Sequence, residues 1–262
     1  DRRTKALPPG SLAILHDHAK NELGLFAVNP NSKIFGRKLS SDVDTNIDTD
    51  WFAKTIYSAL ALRESLFVKP YYRLIHAEAD NLPGLIIDRF SDLLVVQPNA
   101  AWVDRFLPEL IEALKNVLAP ETIIINGMGR SRVLEGLPES RIAVLGNMPS
   151  EPIQVPMNDA IYFADVAEGQ KTGLFYDQRA NQIFVKNLAQ DKKVLDVFSH
   201  VGGFGLAAMA GGASEVTCID GSQPALDLAM MGAEATNKYD LVQKGCDWFS
   251  RNFPKQYMVL LD

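Results

Sequence analysis

The pattern of apolar and polar positions divides the chain into three segments. Residues 1–45 hold short apolar runs separated by turn residues, which is typical of part of a small β-barrel. Residues 50–150 mix further strand-like runs with helical periodicity and predict a small α+β domain. In residues 151–262 a predicted hairpin is followed by alternating strands and helices, which predicts the parallel, doubly wound sheet of a Rossmann-like α/β domain.

Periodicity also predicts the individual elements. In the first two segments we predict strands at 11–15, 23–28, 33–39, 73–78, 85–90, 92–97 and 122–126, and helices at 51–66 and 106–118. The apolar residues of the first helix lie one turn apart, at Phe52, Ile56, Ala59, Leu60 and Leu66. In the third segment we predict a hairpin at 153–163, helices at 177–187, 203–210 and 224–237, and strands at 193–198, 215–219 and 257–261.

Composition narrows the class of protein. The 262 residues carry a net charge of −6 and a mean hydropathy of −0.03, and no apolar run approaches the roughly 20 residues of a membrane span. Two cysteines provide neither a disulfide framework nor zinc-ligand spacing, so we expect a cytoplasmic protein without a metal site. The acidic balance argues against a protein that coats nucleic acid, although residues 1–45 carry seven Lys or Arg against five acids and could present a local basic face.

The clearest chemical signal is a strand that ends in an acid and then meets two glycines, Val194-Leu-Asp-Val-Phe-Ser-His-Val-Gly-Gly-Phe204. Ligands bind outside the carboxyl ends of strands in such sheets, and Gly202 and Gly203 let the backbone approach a ligand without a Cβ in the way. Asp196 would repel a pyrophosphate but suits a cationic ligand such as S-adenosylmethionine, which has a sulfonium and an ammonium group. Further cofactor contacts are expected from the other loop residues, Phe198, Ser199 and Phe204.

Two alternatives bear on this motif. It could be an ordinary, tightly packed corner between a strand and a helix. A nicotinamide dehydrogenase is disfavoured, because its G-x-G-x-x-G fingerprint does not follow any predicted strand.

Further acids follow the later predicted strands. Asp220, with Gly221 and Ser222, ends the next strand, where an acid in nucleotide-binding sheets accepts hydrogen bonds from the ribose hydroxyls. Asp220 or Ser222 could also cap the helix that starts at Pro224. Asp247 is the candidate acceptor for the adenine amino group.

Two more residues complete the predicted crevice. Trp248 would pack near the adenine, and Asp262 would lie beside the reacting methyl group.

The polar stretch at 168–179 supplies the remaining candidates. Lys171 could meet the cofactor carboxylate or an RNA phosphate, whereas Asp177 and Arg179 could contact the cofactor or cap a helix. Neither Cys218, in the middle of a predicted strand, nor Cys246 has the surroundings of a nucleophile.

Four stretches resemble the bacterial large-subunit ribosomal RNA cytosine-5 methyltransferases that carry an N-terminal PUA domain. They are Asn29-Pro-Asn-Ser-Lys-Ile34, Tyr72-Arg-Leu-Ile-His-Ala-Glu-Ala-Asp-Asn-Leu-Pro-Gly-Leu-Ile-Ile-Asp-Arg-Phe90, Glu168-Gly-Gln-Lys-Thr-Gly-Leu-Phe-Tyr-Asp-Gln-Arg179 and Asp196-Val-Phe-Ser-His-Val-Gly-Gly-Phe204. The resemblance covers nearly the whole chain. It implies a class I methyltransferase fold, S-adenosylmethionine as methyl donor and a ribosomal RNA base as acceptor. The oligomeric state is left open, with a homodimer as one possibility.

The resemblance also implies residue roles. Asp196 and Gly202 would lie along the methionine part of the cofactor, Asp220 would hold the ribose, Asp247 the adenine, and Asp262 would open a D-P-P motif. The chain departs from the family where Cys246 precedes Asp247, and it stops before the prolines and a later catalytic cysteine. We therefore expect a chain truncated at both ends, with the nucleophilic cysteine outside it.

Three functions stay open at this point. The leading one is methyl transfer to C5 of a cytosine in large-subunit ribosomal RNA. The others are methyl transfer to guanine or another substrate by the same fold, and RNA binding by a catalytically inactive relative.

Overall fold

The computed structural model describes residues 7–169 and 172–236, and the backbone of 242–244. The chain divides into two compact units, Asp1–Met148 and Pro149–Asp262. None of the described helices is long and apolar enough to span a membrane.

The first unit begins with a three-stranded antiparallel sheet. Its strands are β1 (Ser11–His16), β2 (Glu22–Val28) and β3 (Gly36–Ser40), in the order β1-β2-β3. The three strands expected here are confirmed, whereas their assignment to a PUA-like barrel stays a prediction.

The first long helix, α1 (Thr49–Leu66), follows the predicted periodicity with one exception. Its N-terminus is capped by Asp48, whose carboxylate accepts a hydrogen bond from the backbone N–H of Trp51 at 2.9 Å. Four of the five apolar positions are buried, but Leu66 is 63% exposed. Leu66 is the last residue of the helix and lies beyond the residues of α1 that are buried against the core. The prediction that Leu66 is buried is therefore wrong.

A five-stranded mixed sheet forms the centre of this unit, in the order β4-β5-β6-β7-β8. The strands are β4 (Tyr71–His76), β5 (Leu85–Phe90), β6 (Leu93–Pro98), β7 (Thr122–Asn126) and β8 (Arg141–Leu145). Only β6 and β7 run parallel among these described neighbours, and a parallel pair needs a crossover. Two helices provide it, α2 (Ala101–Arg105) and α3 (Leu107–Leu118).

The core of the first unit is shared by both of its sheets. Trp102 stacks on Phe52 at 5.9 Å between ring centroids, and its indole N–H donates to the Pro83 carbonyl at 2.8 Å. Leu25 and Leu39 of the three-stranded sheet belong to the same buried cluster. Fully burying one such side chain contributes about 1.5–3 kcal/mol, so the two sheets stabilise each other.

A buried carboxylate links the same two parts. Glu135 ends the short helix α4 (Arg130–Glu135) and accepts hydrogen bonds from Ser32 Oγ at 2.6 Å and Asn29 Nδ2 at 2.9 Å. Arg37 Nη2 donates to it at 3.1 Å. Burial raises the pKa of Glu135, but these hydrogen bonds outweigh burial and hold the pKa below its ordinary value.

The second unit contains the expected alternation of strands and helices. A hairpin of β9 (Ile153–Met157) and β10 (Ala160–Ala164) comes first. The following elements are α5 (Arg179–Leu188), β11 (Lys193–Val197), α6 (Gly203–Ala210), β12 (Glu215–Ile219), α7 (Gln223–Ala235) and β13 (Val242–Lys244). The last three strands form a parallel sheet in the order β11-β12-β13. The strand predicted at 257–261 lies outside the described residues.

Glu135→Gln should destabilise the first unit at neutral pH. The amide cannot replace the charge that Asn29, Ser32 and Arg37 bond to, and hydrogen bonds to charged groups contribute about 1.5–3 kcal/mol. Because the folded pKa is lowered from 4.5, this stability is present above pH 4.5 and is lost as the pH falls through the folded value. Urea denaturation of Glu135→Gln and of the unaltered protein between pH 7 and pH 3 should give a difference in the free energy of unfolding that decreases as the pH falls.

Glu121→Gln is the matched control, because it makes the same change at an exposed carboxylate of the same unit. Equal stability of Glu135→Gln and Glu121→Gln at pH 7 would contradict the role of Glu135.

Candidate cofactor-binding site

The candidate site lies where β11 and β12 end. The two strands are parallel, with Asp196 opposite Cys218 and Val197 opposite Ile219. Their carboxyl ends therefore meet at one edge of the sheet, which is where ligands bind in open α/β folds. Asp220 follows β12, and the loop after β11 leads to Gly202 and Gly203, the two glycines expected to let the backbone approach a ligand.

Asp196 is a buried carboxylate held by the start of α6. It is 7% exposed, and its Oδ2 accepts a hydrogen bond from the backbone N–H of Gly205 at 2.7 Å. Burial raises its pKa, the backbone N–H groups of Gly205 and Phe204 oppose that shift, and the charge of Asp220 adds to it. A cation bound nearby would favour the ionised form of Asp196.

The local geometry requires glycine most strongly at Gly202 and Gly205. Gly202 has a φ of +77°, in the left-handed region. A Cβ on Gly205 would lie 2.5 Å from Cys218 Sγ, closer than a Cβ approaches a non-bonded atom in folded proteins. A Cβ on Gly203 would lie 3.0 Å from Gln182 Nε2. Tight packing therefore accounts for part of the glycine pattern, and Gly205 was not among the sequence candidates.

The loop between Val197 and Gly202 departs from ordinary backbone geometry. Phe198 and His200 have φ values of +63° and +50°, although neither is glycine. Ser199 is buried, and its backbone N–H donates to the Ile219 carbonyl at 3.1 Å, whereas Phe198 is 61% exposed. Non-glycine residues in this region cost about 1–3 kcal/mol each, and such strain concentrates at functional sites.

Asp220 ties this loop to the end of β12. Its Oδ2 accepts from the backbone N–H of His200 at 2.7 Å, and its Oδ1 accepts from that of Ser222 at 2.9 Å. A carboxylate offers about four acceptor directions, so each oxygen can accept a further hydrogen bond.

The cap of α7 is Ser222. Its hydroxyl accepts from the Ala225 N–H at 3.3 Å, and Pro224 lies in the first turn. The capping alternative thus applies to Ser222 and not to Asp220, with the exposed Gly221 between them.

The polar stretch before α5 contributes Arg179. Burial lowers the pKa of this half-buried guanidinium, and the neighbouring Tyr176 and Tyr162 oppose the shift. Asp177 is exposed and belongs to a short 3₁₀ turn before α5, and Gln178 at the N-cap of α5 forms no side-chain cap hydrogen bond. The capping interpretation of Asp177 and Arg179 stays a prediction.

The sequence did not indicate the polar side chains that lie behind residues 198–203, the segment that we call the glycine loop. Tyr162 and Gln182 are fully buried, and the Tyr162 hydroxyl lies 3.4 Å from the Gly203 carbonyl oxygen. The tyrosine among the apolar residues of the predicted hairpin was the available signal, but the groups that it contacts lie on α5 and α6 and no spacing pattern connects them.

Several candidates cannot be placed. Lys171, Asp247, Trp248 and Asp262 lie outside the described residues, as does Cys246.

Cys218 is buried, as expected for a core residue, and burial raises the pKa of its thiol to about 12. Among the described residues, no cluster of His, Cys, Asp or Glu side chains could hold a metal ion.

Gly205→Ala should destabilise the second unit, because the new methyl group would overlap the Cys218 sulfur. Overpacking of this kind costs about 1–3 kcal/mol. Adding Cys218→Ala removes the overlapping atom, so the double variant should lose less stability than the two single changes together. The free energy of unfolding of all three variants measures this coupling.

Gly203→Ala is the control on the same helix, because its methyl group would meet only the end of the Gln182 side chain. Additive effects of Gly205→Ala and Cys218→Ala would show that the close approach is not the constraint.

Comparison with known proteins places these observations in a family. Residues 79–245 match the family model described as S-adenosylmethionine-dependent methyltransferase. The chain is 34% identical over 242 residues to the ribosomal RNA large subunit methyltransferase I of Pseudoalteromonas translucida, covering 90% of this chain and 61% of that protein. The protein of the same name from Tolumonas auensis is 37% identical over 221 residues, with 83% and 55% covered. The chain thus spans somewhat more than half the length of these relatives.

Two solved structures share the fold. A protein described as a SAM-dependent methyltransferase from Streptococcus mutans superposes with a TM-score of 0.80 at 21% identity, covering 95% of this chain and 66% of that one. A methyltransferase crystallised with S-adenosylhomocysteine gives 0.81 at 22% identity, with 97% and 67% covered. With the family match across 79–245, the chain belongs to the S-adenosylmethionine-dependent methyltransferases.

Proposed function

We propose that this chain is part of an RNA methyltransferase that transfers a methyl group from S-adenosylmethionine to C5 of a cytosine in large-subunit ribosomal RNA. The observation that carries the proposal is the identity of 34–37% with relatives named for large-subunit ribosomal RNA methylation, along 83–90% of the chain.

The residues at the strand ends fit this cofactor. S-adenosylmethionine supplies a methyl group on a sulfonium, which makes that carbon electrophilic. Asp196 provides a negative charge whose raised pKa a nearby cation would lower, and Asp220 keeps acceptor directions for two ribose hydroxyl donors. Arg179 is a candidate partner for the carboxylate of the cofactor.

The remaining candidates extend the same proposal. Phe198, Ser199 and Gly202 belong to the loop along which the cofactor would lie, and Gly203 and Phe204 open α6 beside it.

Four assignments fall outside the described residues. Lys171 would meet an anionic group, Asp247 and Trp248 the adenine, and Asp262 the region of the transferred methyl group.

Methylation at C5 of a cytosine also needs a nucleophile. A thiolate adds to C6 of the base and makes C5 nucleophilic. Cys218 is unsuited to this role, because it is buried and its pKa is raised to about 12, so little thiolate forms at neutral pH. We therefore propose that the nucleophile is a cysteine other than Cys218.

Asp220→Ala should weaken binding of S-adenosylmethionine roughly tenfold to hundredfold. The lost hydrogen bonds to a charged acceptor are worth about 1.5–3 kcal/mol. The variant also loses the bonds to the His200 and Ser222 amides, so its folding is checked by thermal melting. Glu234→Ala, which removes an exposed carboxylate on α7, should leave the affinity unchanged.

A cofactor analogue without the ribose 2′-hydroxyl distinguishes a direct contact between Asp220 and the ribose from support of the loop by Asp220. The unaltered protein should bind the analogue more weakly than S-adenosylmethionine, and Asp220→Ala should bind the two alike. If Asp220→Ala still discriminates as strongly as the unaltered protein, Asp220 only anchors the loop.

The full-length protein should transfer labelled methyl groups to large-subunit ribosomal RNA, with the label on C5 of cytosine. Because the methyl donor and a thiolate must reach opposite faces of the ring, the target base should be unpaired. Naked RNA and assembled subunits are both tested as substrates, and Asp220→Ala serves as the weakly binding control. Label on guanine would replace the proposed substrate atom, and label on neither RNA would overturn the function.

A further inference from the structure

A small polar cluster lies behind the glycine loop, built from three elements of the second unit. Asn158 stands in the two-residue turn of the hairpin, Tyr162 lies on β10 and Gln182 on α5. The phenol and the amide of the last two are fully buried. Buried polar groups are almost always hydrogen-bonded, so the partners of these side chains reveal what they hold.

The hydrogen bonds connect the hairpin to α5. Asn158 Nδ2 donates to Gln182 Oε1 at 3.1 Å. The Asn158 side chain also faces the hydroxyl of Tyr162 and opposes the rise in the Tyr162 pKa that burial causes. An amide nitrogen has two N–H donors, so one Asn158 side chain can serve both neighbours.

The cluster converges on Gly203, the first residue of α6. The Tyr162 hydroxyl donates to the Gly203 carbonyl oxygen over a long 3.4 Å, and the Gln182 amide nitrogen lies 3.0 Å from where a Gly203 Cβ would stand. Gly203 follows the left-handed Gly202 and precedes Gly205, whose N–H bonds Asp196. The cluster and Asp196 thus hold the same short segment from two sides.

Stability alone does not explain this cluster. Apolar side chains of similar size would fill the same space without polar groups to satisfy, whereas hydrogen bonds fix direction as well as distance. A fixed direction matters at a loop that already contains the strained Phe198 and His200.

We propose that Asn158, Tyr162 and Gln182 are positioning residues of the cofactor site. They hold the backbone at Gly203, and with it the loop from Asp196 to Gly205, in the conformation that binds S-adenosylmethionine. The inference rests on the proposed cofactor, S-adenosylmethionine, but it concerns residues outside the motif at 194–204.

The hairpin turn offers a matched pair of variants for the test. Asn158 and Asp159 both have positive φ, at +56° and +62°, so glycine replaces either without backbone strain. Asn158→Gly removes the amide of the cluster. Asp159→Gly removes only an exposed carboxylate that pairs with Lys186 on α5.

Calorimetric titration of the full-length variants with S-adenosylmethionine gives the first readout. Asn158→Gly should lose affinity about 3- to 10-fold, the size expected for one or two neutral hydrogen bonds, and Asp159→Gly should bind like the unaltered protein. Tyr162→Phe, which deletes one buried hydroxyl, should lose a similar factor. Tyr72→Phe, the same change at a buried hydroxyl bonded to Arg89 in the first unit, should not.

Hydrogen exchange without cofactor gives the second readout. Peptides covering 199–206 should exchange faster in Asn158→Gly and Tyr162→Phe than in Asp159→Gly and Tyr72→Phe, by more than the loss of global stability, measured by thermal melting, accounts for. Unchanged affinity and exchange in the first two variants would overturn the positioning role. If the unaltered protein does not bind S-adenosylmethionine, the proposed function fails, and the exchange experiment still decides the positioning role by itself.

Discussion

The burial of the Asp196 carboxylate is the constraint on which the second unit depends. A carboxylate removed from water needs strong donors, and the backbone N–H groups at the start of α6 provide them. To reach Asp196, the helix must begin close against the strands, and at Gly205 this leaves no room for a Cβ beside Cys218. One buried charge thus determines where the helix begins and which residues can stand around it.

The second acid at the strand ends makes the same edge ready for a ligand. Asp220 holds the loop through the His200 and Ser222 amides, while Asp196 holds the helix that follows the loop. The backbone between them is fixed before any ligand arrives, which lowers the entropy lost on binding. Each carboxylate in this arrangement has a structural role, and its remaining acceptor positions are available for the chemistry that we propose.

The sequence predicts elements that are bounded by local signals. The helix Gly203–Ala210 and the strand Glu215–Ile219 agree with the prediction residue for residue, because glycines flank the helix and β-branched residues dominate the strand. The strand Arg141–Leu145 was not predicted, nor were the helices Ala101–Arg105 and Arg130–Glu135, whose five or six residues make less than two turns.

The candidate site also contains residues that the sequence indicates and residues whose role only the fold reveals. The acids and glycines at the strand ends are visible in the sequence, because each follows directly from a strand or opens a helix. The need for glycine at 205 depends on Cys218 across the sheet, and the cluster around Tyr162 depends on contacts between a hairpin and two helices. Such requirements arise only from tertiary packing, so no single stretch of sequence carries them.

The hydrogen bonds around Glu135 bear on how the protein can be divided. Its donors Asn29, Ser32 and Arg37 all come from the first 45 residues, whereas the carboxylate itself belongs to the central part of the first unit. A fragment that starts at residue 50 would retain the buried acid and lose these three partners, together with the apolar cover provided by Leu25 and Leu39. The natural place to cut this protein is therefore between Met148 and Pro149, and the segment that precedes α1 should be kept with the rest of the first unit.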